Sequence, residues 1–400
     1  MPLSRRPKHW TDRARDAGAW IVPEALFDGQ NLWPGRAVLV QGNRTTITDA
    51  AEIATGQEDT VWRARGILTP GFFDLQVNGG GGVLLNGDPS PAGARAIARA
   101  HRTTGTAALL PTVITDRPEV TEAAAAAILR TVGQDGIAGI HIEGPHISRS
   151  RRGTHKAEYI RPLDATTLTL VAGLRARNVP VMITLAPEAV TPGQIATLVG
   201  QGVVVALGHS DASAAQTHAA LAEGAQSFTH LFNAMSQMQN REPGVTGAAI
   251  NSHAYCSMIC DGIHVAPEML ALAIRARPLA DRMIVVTDAM PTVAGPDSYT
   301  LYAQTITLRD GRLLNADGAL AGAHVTMLDS VAFLINRLSQ TAEQALRMAI
   351  TNPARLMGMQ ARFQLENMPP DDVLLIAPDF ASAGFILDGN DGGDGASKPF

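Results

Sequence analysis

Eight short apolar runs recur between residues 71 and 287, and helix-like stretches separate almost all of them. The runs cover 71–77, 106–112, 137–143, 179–185, 202–208, 225–230, 254–260 and 282–287. Helical periodicity falls at 91–103, 117–132, 164–177, 213–223 and 266–276. Strands that alternate with helices specify a parallel sheet covered on its outside. Eight such units predict a (β/α)8 barrel of the TIM type. Two further helices, 326–338 and 341–350, should pack outside it, the second capped by Thr341 with Gln344.

Four of the runs end in side chains that bind metals or move protons: Glu143, His209, His230 and Asp288. In a parallel barrel these strand ends share one mouth, where barrel enzymes keep their chemistry. One carboxylate and two imidazoles can hold a zinc-type ion with a position open for water. A further Asp beside them can act as general acid–base. A lone strand-end Glu or His is usually solvated or a hydrogen-bonded core residue. Three on separate strands at one face favour a metal centre, with Asp288 as its proton carrier. His141 shares a strand side with Glu143 and is expected to support the ligands by a hydrogen bond.

The first run ends in Gln76-Val77-Asn78, just before Gly79–Gly82. Binuclear barrels place His-x-His there, and neutral amides are poor ligands for a zinc-class ion. The expectation is one divalent ion per subunit, zinc or another first-row ion such as iron, with Gln76 and Asn78 marking a vacant second-metal position. The chain's lysines are Lys8, Lys156 and Lys398. No strand therefore supplies a lysine to bridge two ions, and only Lys156 in its loop could take that part.

Residues 16–65 read as short strands with turn signals, and 359–387 become strand-like again around Val373–Ile376. The predicted organisation is a small β-sandwich built from 16–65 and 359–387, a catalytic barrel over 66–358, and a disordered tail over 388–400 rich in Gly and Asp. The basic residues before position 16 (Arg5, Arg6, Lys8, Arg13, Arg15) are expected to form a short solvated tail, since no apolar segment follows them. A net charge of −5 gives no general attraction to nucleic acid, and no apolar run reaches membrane-spanning length. Cys256 and Cys260 lie in one strand-like run, where four residues of rise separate them by roughly 13 Å, beyond disulfide reach. Two buried thiols suit a cytoplasmic protein.

The motifs also form an ordered set: Pro70-Gly71-Phe72-Phe73-Asp74, His141-Ile142-Glu143-Gly144-Pro145-His146, Gly153-Thr154-His155, Leu185-Ala186-Pro187-Glu188, Gly208-His209-Ser210 and Thr229-His230-Leu231-Phe232-Asn233-Ala234-Met235. Arg241-Glu242-Pro243-Gly244, Asp261-Gly262-Ile263-His264-Val265, Val286-Thr287-Asp288-Ala289 and Leu320-Ala321-Gly322 follow. From about Gly66 to about Leu356 the chain resembles the N-acetylglucosamine-6-phosphate deacetylase family of the amidohydrolase superfamily. The resemblance implies a homodimer that binds a phosphorylated amino sugar. It assigns the metal to Glu143, His209 and His230, the acid–base role to Asp288, and a hydrogen bond to the acetyl carbonyl to His155. It gives sugar-phosphate contacts to Asn233 and Ala234, partly through backbone amides. Arg241 and His264 would reach the phosphate held by the neighbouring subunit. Gln76 and Asn78 resemble the single-metal branch. His146 departs from the family, standing where a bulky aromatic or apolar residue is usual.

The expected reaction is hydrolysis of N-acetylglucosamine 6-phosphate to glucosamine 6-phosphate and acetate. N-acetylgalactosamine 6-phosphate is the alternative substrate, because the contacts to the epimeric hydroxyl are not readable. A cyclic-amide hydrolase lacks support without His-x-His or a strand lysine. A metal-free assembly protein would have no use for an intact set of ligands.

Overall fold

The computed structural model describes residues 6–7, 9–53, 60–316 and 318–388. The tail expected to be disordered therefore lies, apart from Asp388, outside the described residues. Eight parallel strands pair in chain order: β1 (Phe72–Val77), β2 (Thr106–Ile114), β3 (Ile140–Glu143), β4 (Val181–Leu185), β5 (Val204–Leu207), β6 (Ser227–Phe228), β7 (Tyr255–Met258) and β8 (Met283–Val285). Every residue of these strands is buried. That explains why they read as continuous apolar runs rather than alternating ones. The ring is completed beyond β8, where Val77 and Ala289 form a parallel bridge and Asp288 N donates to Gln76 O at 3.0 Å. The architecture is the TIM-type barrel expected from the sequence.

The covering helices begin at encoded caps. Ser90 accepts from Gly93 N at the start of Pro91–Arg102, Asp164 accepts from Thr167 N before Ala165–Arg175, and Ser213 forms a capping box with Gln216. Thr341 and Gln344 form the expected box before Ala342–Leu346. Such caps satisfy N–H groups that have no acceptor within the helix. Helices Gln194–Gly200 and Gly244–Asn251 are short and gave no periodic signal in the sequence.

Both chain ends contribute to a two-sheet sandwich. One sheet runs 44–49, 36–41, 19–22, 61–63, and the other 383–385, 373–376, 67–70, 25–27, 32–34. Val373–Ile376 pairs antiparallel with Ile67–Pro70, the segment that leads directly into β1. A core of Ile21, Leu26, Val38, Val40, Trp62, Leu68, Val373 and Leu375 fills the space between the sheets. A third sheet was not foreseen: Ser298–Leu301, Gln304–Arg309 and Arg312–Leu314 form an antiparallel insert after β8, packed on Leu84, Ile114 and Met290.

The solvated N-terminal tail is corrected by the structure over its described part. Trp10–Asp16 is a helix, and Trp10 and Ala14 are fully buried. These two residues are four apart and share one face, leaving Arg13 and Arg15 outside. The Trp10 indole N–H donates to Trp20 O at 3.0 Å, and its ring meets Trp62 edge-on at 5.4 Å. Trp10→Ala is expected to destabilise the protein by about 3–5 kcal/mol, read as a lower urea midpoint. Arg13→Ala should shift that midpoint by less than about 0.5 kcal/mol.

Candidate active site

Glu143 is the last residue of β3, and three other groups stand two or three residues past their strands: His209 after β5, His230 after β6 and Asp288 after β8. These three adopt left-handed backbone conformations, with φ of 48°, 33° and 52°. Such conformations cost on the order of 1–3 kcal/mol each for residues other than glycine. Hydrogen bonds to neighbouring strands hold the turns. His230 N donates to Ser257 Oγ at 2.8 Å, Leu231 N to Ser257 O at 2.8 Å, and Ser210 N to Ala234 O at 3.0 Å.

The consequence is a close triangle of electron-rich atoms. His230 Nε2 lies 3.0 Å from Glu143 Oε1 and 3.0 Å from His209 Nε2, and His209 Nε2 lies 3.3 Å from Glu143 Oε1. A tetrahedral ion with bonds of about 2.0–2.1 Å brings its ligand atoms to about this spacing. All three side chains are buried. His209 Nδ1 is held by Arg151 O at 2.9 Å, which turns Nε2 inward. His230 Nδ1 is buried without a partner. Burial alone would raise the pKa of Glu143, but hydrogen bonds from His209 and His230 hold it well below the carboxylate range. The donor set fits a divalent ion.

His155 also offers a ring nitrogen, within 4.8 Å of the Glu143 and His209 donors. That separation is loose beside the 3.0–3.3 Å triangle, and His155 Nδ1 is already 2.6 Å from Thr115 Oγ1. The His155 ring lies 4.4 Å from that of His209. Burial and the neighbouring histidine push its pKa down to about 3, so the ring is neutral.

Gln76 and Asn78 direct amide donors at the carboxylates of the site. Gln76 Nε2 bridges Glu143 Oε1 at 2.9 Å and Asp288 Oδ1 at 3.1 Å, and Asn78 Nδ2 donates to the same Asp288 oxygen at 2.6 Å. Both bonds fall on Oδ1. Burial and the charge of Glu143 push Asp288 up to about 6.

The remaining expected residues are less tightly gathered. Asn233 spends its backbone N–H on His230 O, and its side-chain amide on His230 O and Leu231 O, within its own turn. Ala234 is partly exposed beside it with φ 50°. Arg241 is exposed on the loop before Gly244–Asn251. Among the described residues it makes no hydrogen bond or ion pair with the triangle. His264 Nδ1 pairs with Asp261 Oδ2 at 2.5 Å, and Asp261 Oδ1 accepts from Ile263 N and His264 N. His141 does not bond to a triangle residue as expected. It reaches Thr184 Oγ1 at 2.7 Å, and Thr184 meets Thr229 Oγ1 at 2.6 Å. His146 is internal too, joining Arg161 O at 3.2 Å and Thr167 Oγ1 at 3.0 Å. It ties its loop to the neighbouring helix.

Two supporting residues escaped the sequence reading. Thr115 directly follows β2, and the same strand-end rule could have found it. Asp74 stands within β1, fully buried, and accepts from Gln76 N, Thr287 N and Thr287 Oγ1. It fastens the strand ends that carry Gln76 and Asp288. Burial raises Asp74 from 3.8 to about 7 despite these bonds. An acid raised in this way binds more protons when folded than when unfolded between those values. Its contribution to stability is therefore complete below the unfolded pKa and is lost as pH rises through about 7. Thermal melting of native protein and Asp74→Asn between pH 4 and 8 tests this. The native protein should lose more stability across that window than the variant.

Comparison with known proteins places this geometry among relatives. The amidohydrolase family matches residues 67–363. A protein of Shewanella sp. strain ANA-3 named N-acetylgalactosamine-6-phosphate deacetylase is 39% identical over 81% of this chain and 86% of its own. A Haemophilus influenzae protein named N-acetylglucosamine-6-phosphate deacetylase is 31% identical over 88% and 93%. The crystal structure of N-acetylglucosamine-6-phosphate deacetylase from Pasteurella multocida superposes with a TM-score of 0.83 at 30% identity, covering 91% of this chain and 96% of that one.

Proposed function

The chain belongs to the amidohydrolase family, and on that premise we propose that it deacetylates an N-acetylhexosamine 6-phosphate, releasing acetate and the amino sugar phosphate. N-acetylglucosamine 6-phosphate is the first substrate, supported by relatives and a solved structure named for that activity. The 39% identical relative named for the galacto epimer supports N-acetylgalactosamine 6-phosphate as the second. The observation that carries the reading is the Glu143–His209–His230 triangle joined through Gln76 to Asp288.

When bound, a divalent ion supplies Lewis acidity to water and to the amide carbonyl. Glu143, His209 and His230 would hold it, and the mixed nitrogen and oxygen set suits zinc while also accepting iron. Asp288 takes the proton of the attacking water on Oδ2 and returns it to the amide nitrogen. That second transfer is essential, because an unprotonated amide nitrogen leaves very poorly. Oδ1 stays bound to Gln76 and Asn78, so the carboxylate does not rotate during the exchange. His155 donates to the acetyl oxygen as negative charge grows there.

Asn233, Ala234, Arg241 and His264 bind the sugar phosphate and so hold the amide against Asp288, turning remote binding into orientation. The exposure of Arg241 favours service across a homodimer, to the partner's substrate. Buried free thiols at Cys256 and Cys260 suit a protein working in the cytoplasm.

Acetate release from phosphorylated and unphosphorylated N-acetylhexosamines, with bound metal quantified on the same sample, tests the reading. One ion per chain and turnover only of phosphorylated sugars are expected. Failure to deacetylate any of them with metal bound refutes it. Asp288→Asn should lower kcat ~10²- to 10⁴-fold while substrate still binds. Arg241→Ala should raise KM about 10- to 100-fold, the worth of a charged hydrogen bond, with kcat largely kept. Because Asp288 must begin ionised, native kcat should decline on the acid side with a limb no higher than about pH 6.

A further inference from the structure

We propose that Thr115 sets the tautomer of His155, donating its hydroxyl proton to Nδ1 so that the single ring proton sits on Nε2. The inference rests on the donor role given above to His155. It adds the residue that makes a neutral imidazole a hydrogen-bond donor to substrate rather than a further ligand for the metal.

A neutral imidazole carries one proton, and the partner of one nitrogen decides the state of the other. Thr115 is fully buried and His155 nearly so. Thr115 Oγ1 has two neighbours that could take its proton: His155 Nδ1 at 2.6 Å and Glu143 O at 3.4 Å. If the hydroxyl donated to Glu143 O, Nδ1–H of His155 would donate to Oγ1. Nε2 would then carry the ring's lone pair instead of its proton. The 2.6 Å contact is a hydrogen bond in either arrangement, so the choice rests on the hydroxyl's other acceptor. Glu143 O at 3.4 Å lies beyond the ordinary range for O–H···O. The hydroxyl proton therefore goes to Nδ1.

The surroundings hold Thr115 in place for this. The Tyr302 hydroxyl, at the tip of the insert hairpin, donates to Thr115 O. On the opposite side, a β-carbon on Gly144 would lie 2.2 Å from Thr115 Oγ1, and Gly144 has φ of 75°. Only glycine leaves room there for the hydroxyl. The insert sheet thus holds the backbone of Thr115, and the turn after β3 leaves room for its hydroxyl.

The deciding measurement uses native, metal-loaded protein with ¹⁵N-labelled histidine. Long-range ¹H–¹⁵N correlations are assigned to His155 by their loss in His155→Asn. The proposal expects a protonated Nε2 and an unprotonated Nδ1. The opposite pattern overturns it. Thr115→Val keeps the shape and removes the proton, and should lower kcat ~10- to 100-fold with KM and bound metal unchanged. Thr115→Ser should recover most of that loss. Thr115→Val with native turnover also overturns the proposal, and if that variant does not fold, the native spectrum still decides. Should no N-acetylhexosamine phosphate be deacetylated, the proposed function fails, while the tautomer remains readable on the same sample.

Discussion

Three lone-pair donors facing one another at 3.0–3.3 Å repel unless something positive lies among them. That requirement organises the protein. Glu143, His209 and His230 reach the common point from three different strands, so the barrel's strand order and register must be correct before the triangle exists. The left-handed turns at His209 and His230 show the same priority. Local backbone comfort is given up, and hydrogen bonds from neighbouring strands hold the turns in place.

Around the triangle, amide and hydroxyl groups form a shell of hydrogen bonds. Gln76 and Asn78 donate hydrogen bonds to Glu143 and Asp288, which favours ionised carboxylates. Asp74 stands behind them, buried and joined to Thr287, so the first and last barrel strands meet beside Asp288. Closure of the barrel and placement of Asp288 share one contact: Asp288 N donates to Gln76 O where the ring is completed.

Much of this was readable before any coordinates. Fully buried strands of two to nine residues, most of them separated by helices, leave a strong pattern, and the polar residues that end four of the runs stand out against it. The capping pair Thr341 and Gln344 was visible because its spacing is local. The missed parts lack such signals. Trp10 and Ala14 sit on a helix of seven residues, too short for periodicity to outweigh the surrounding charges. The insert sheet at 298–314 alternates like any solvated hairpin. His141 has the right strand side for the site, but its partner Thr184 belongs to the next strand.

From sequence alone came the barrel, the four strand-end groups and the absence of imidazoles at positions 76 and 78, because side-chain chemistry and hydrophobic period are properties of neighbouring residues. The distances that turn those groups into one site came only from tertiary structure, as did the pairing of Thr115 with His155, the bridge made by Gln76, and the use of Val373–Ile376 to brace the strand before β1. Each joins segments tens to hundreds of residues apart. Their separation depends on how the sheet closes, which no local stretch of chain encodes.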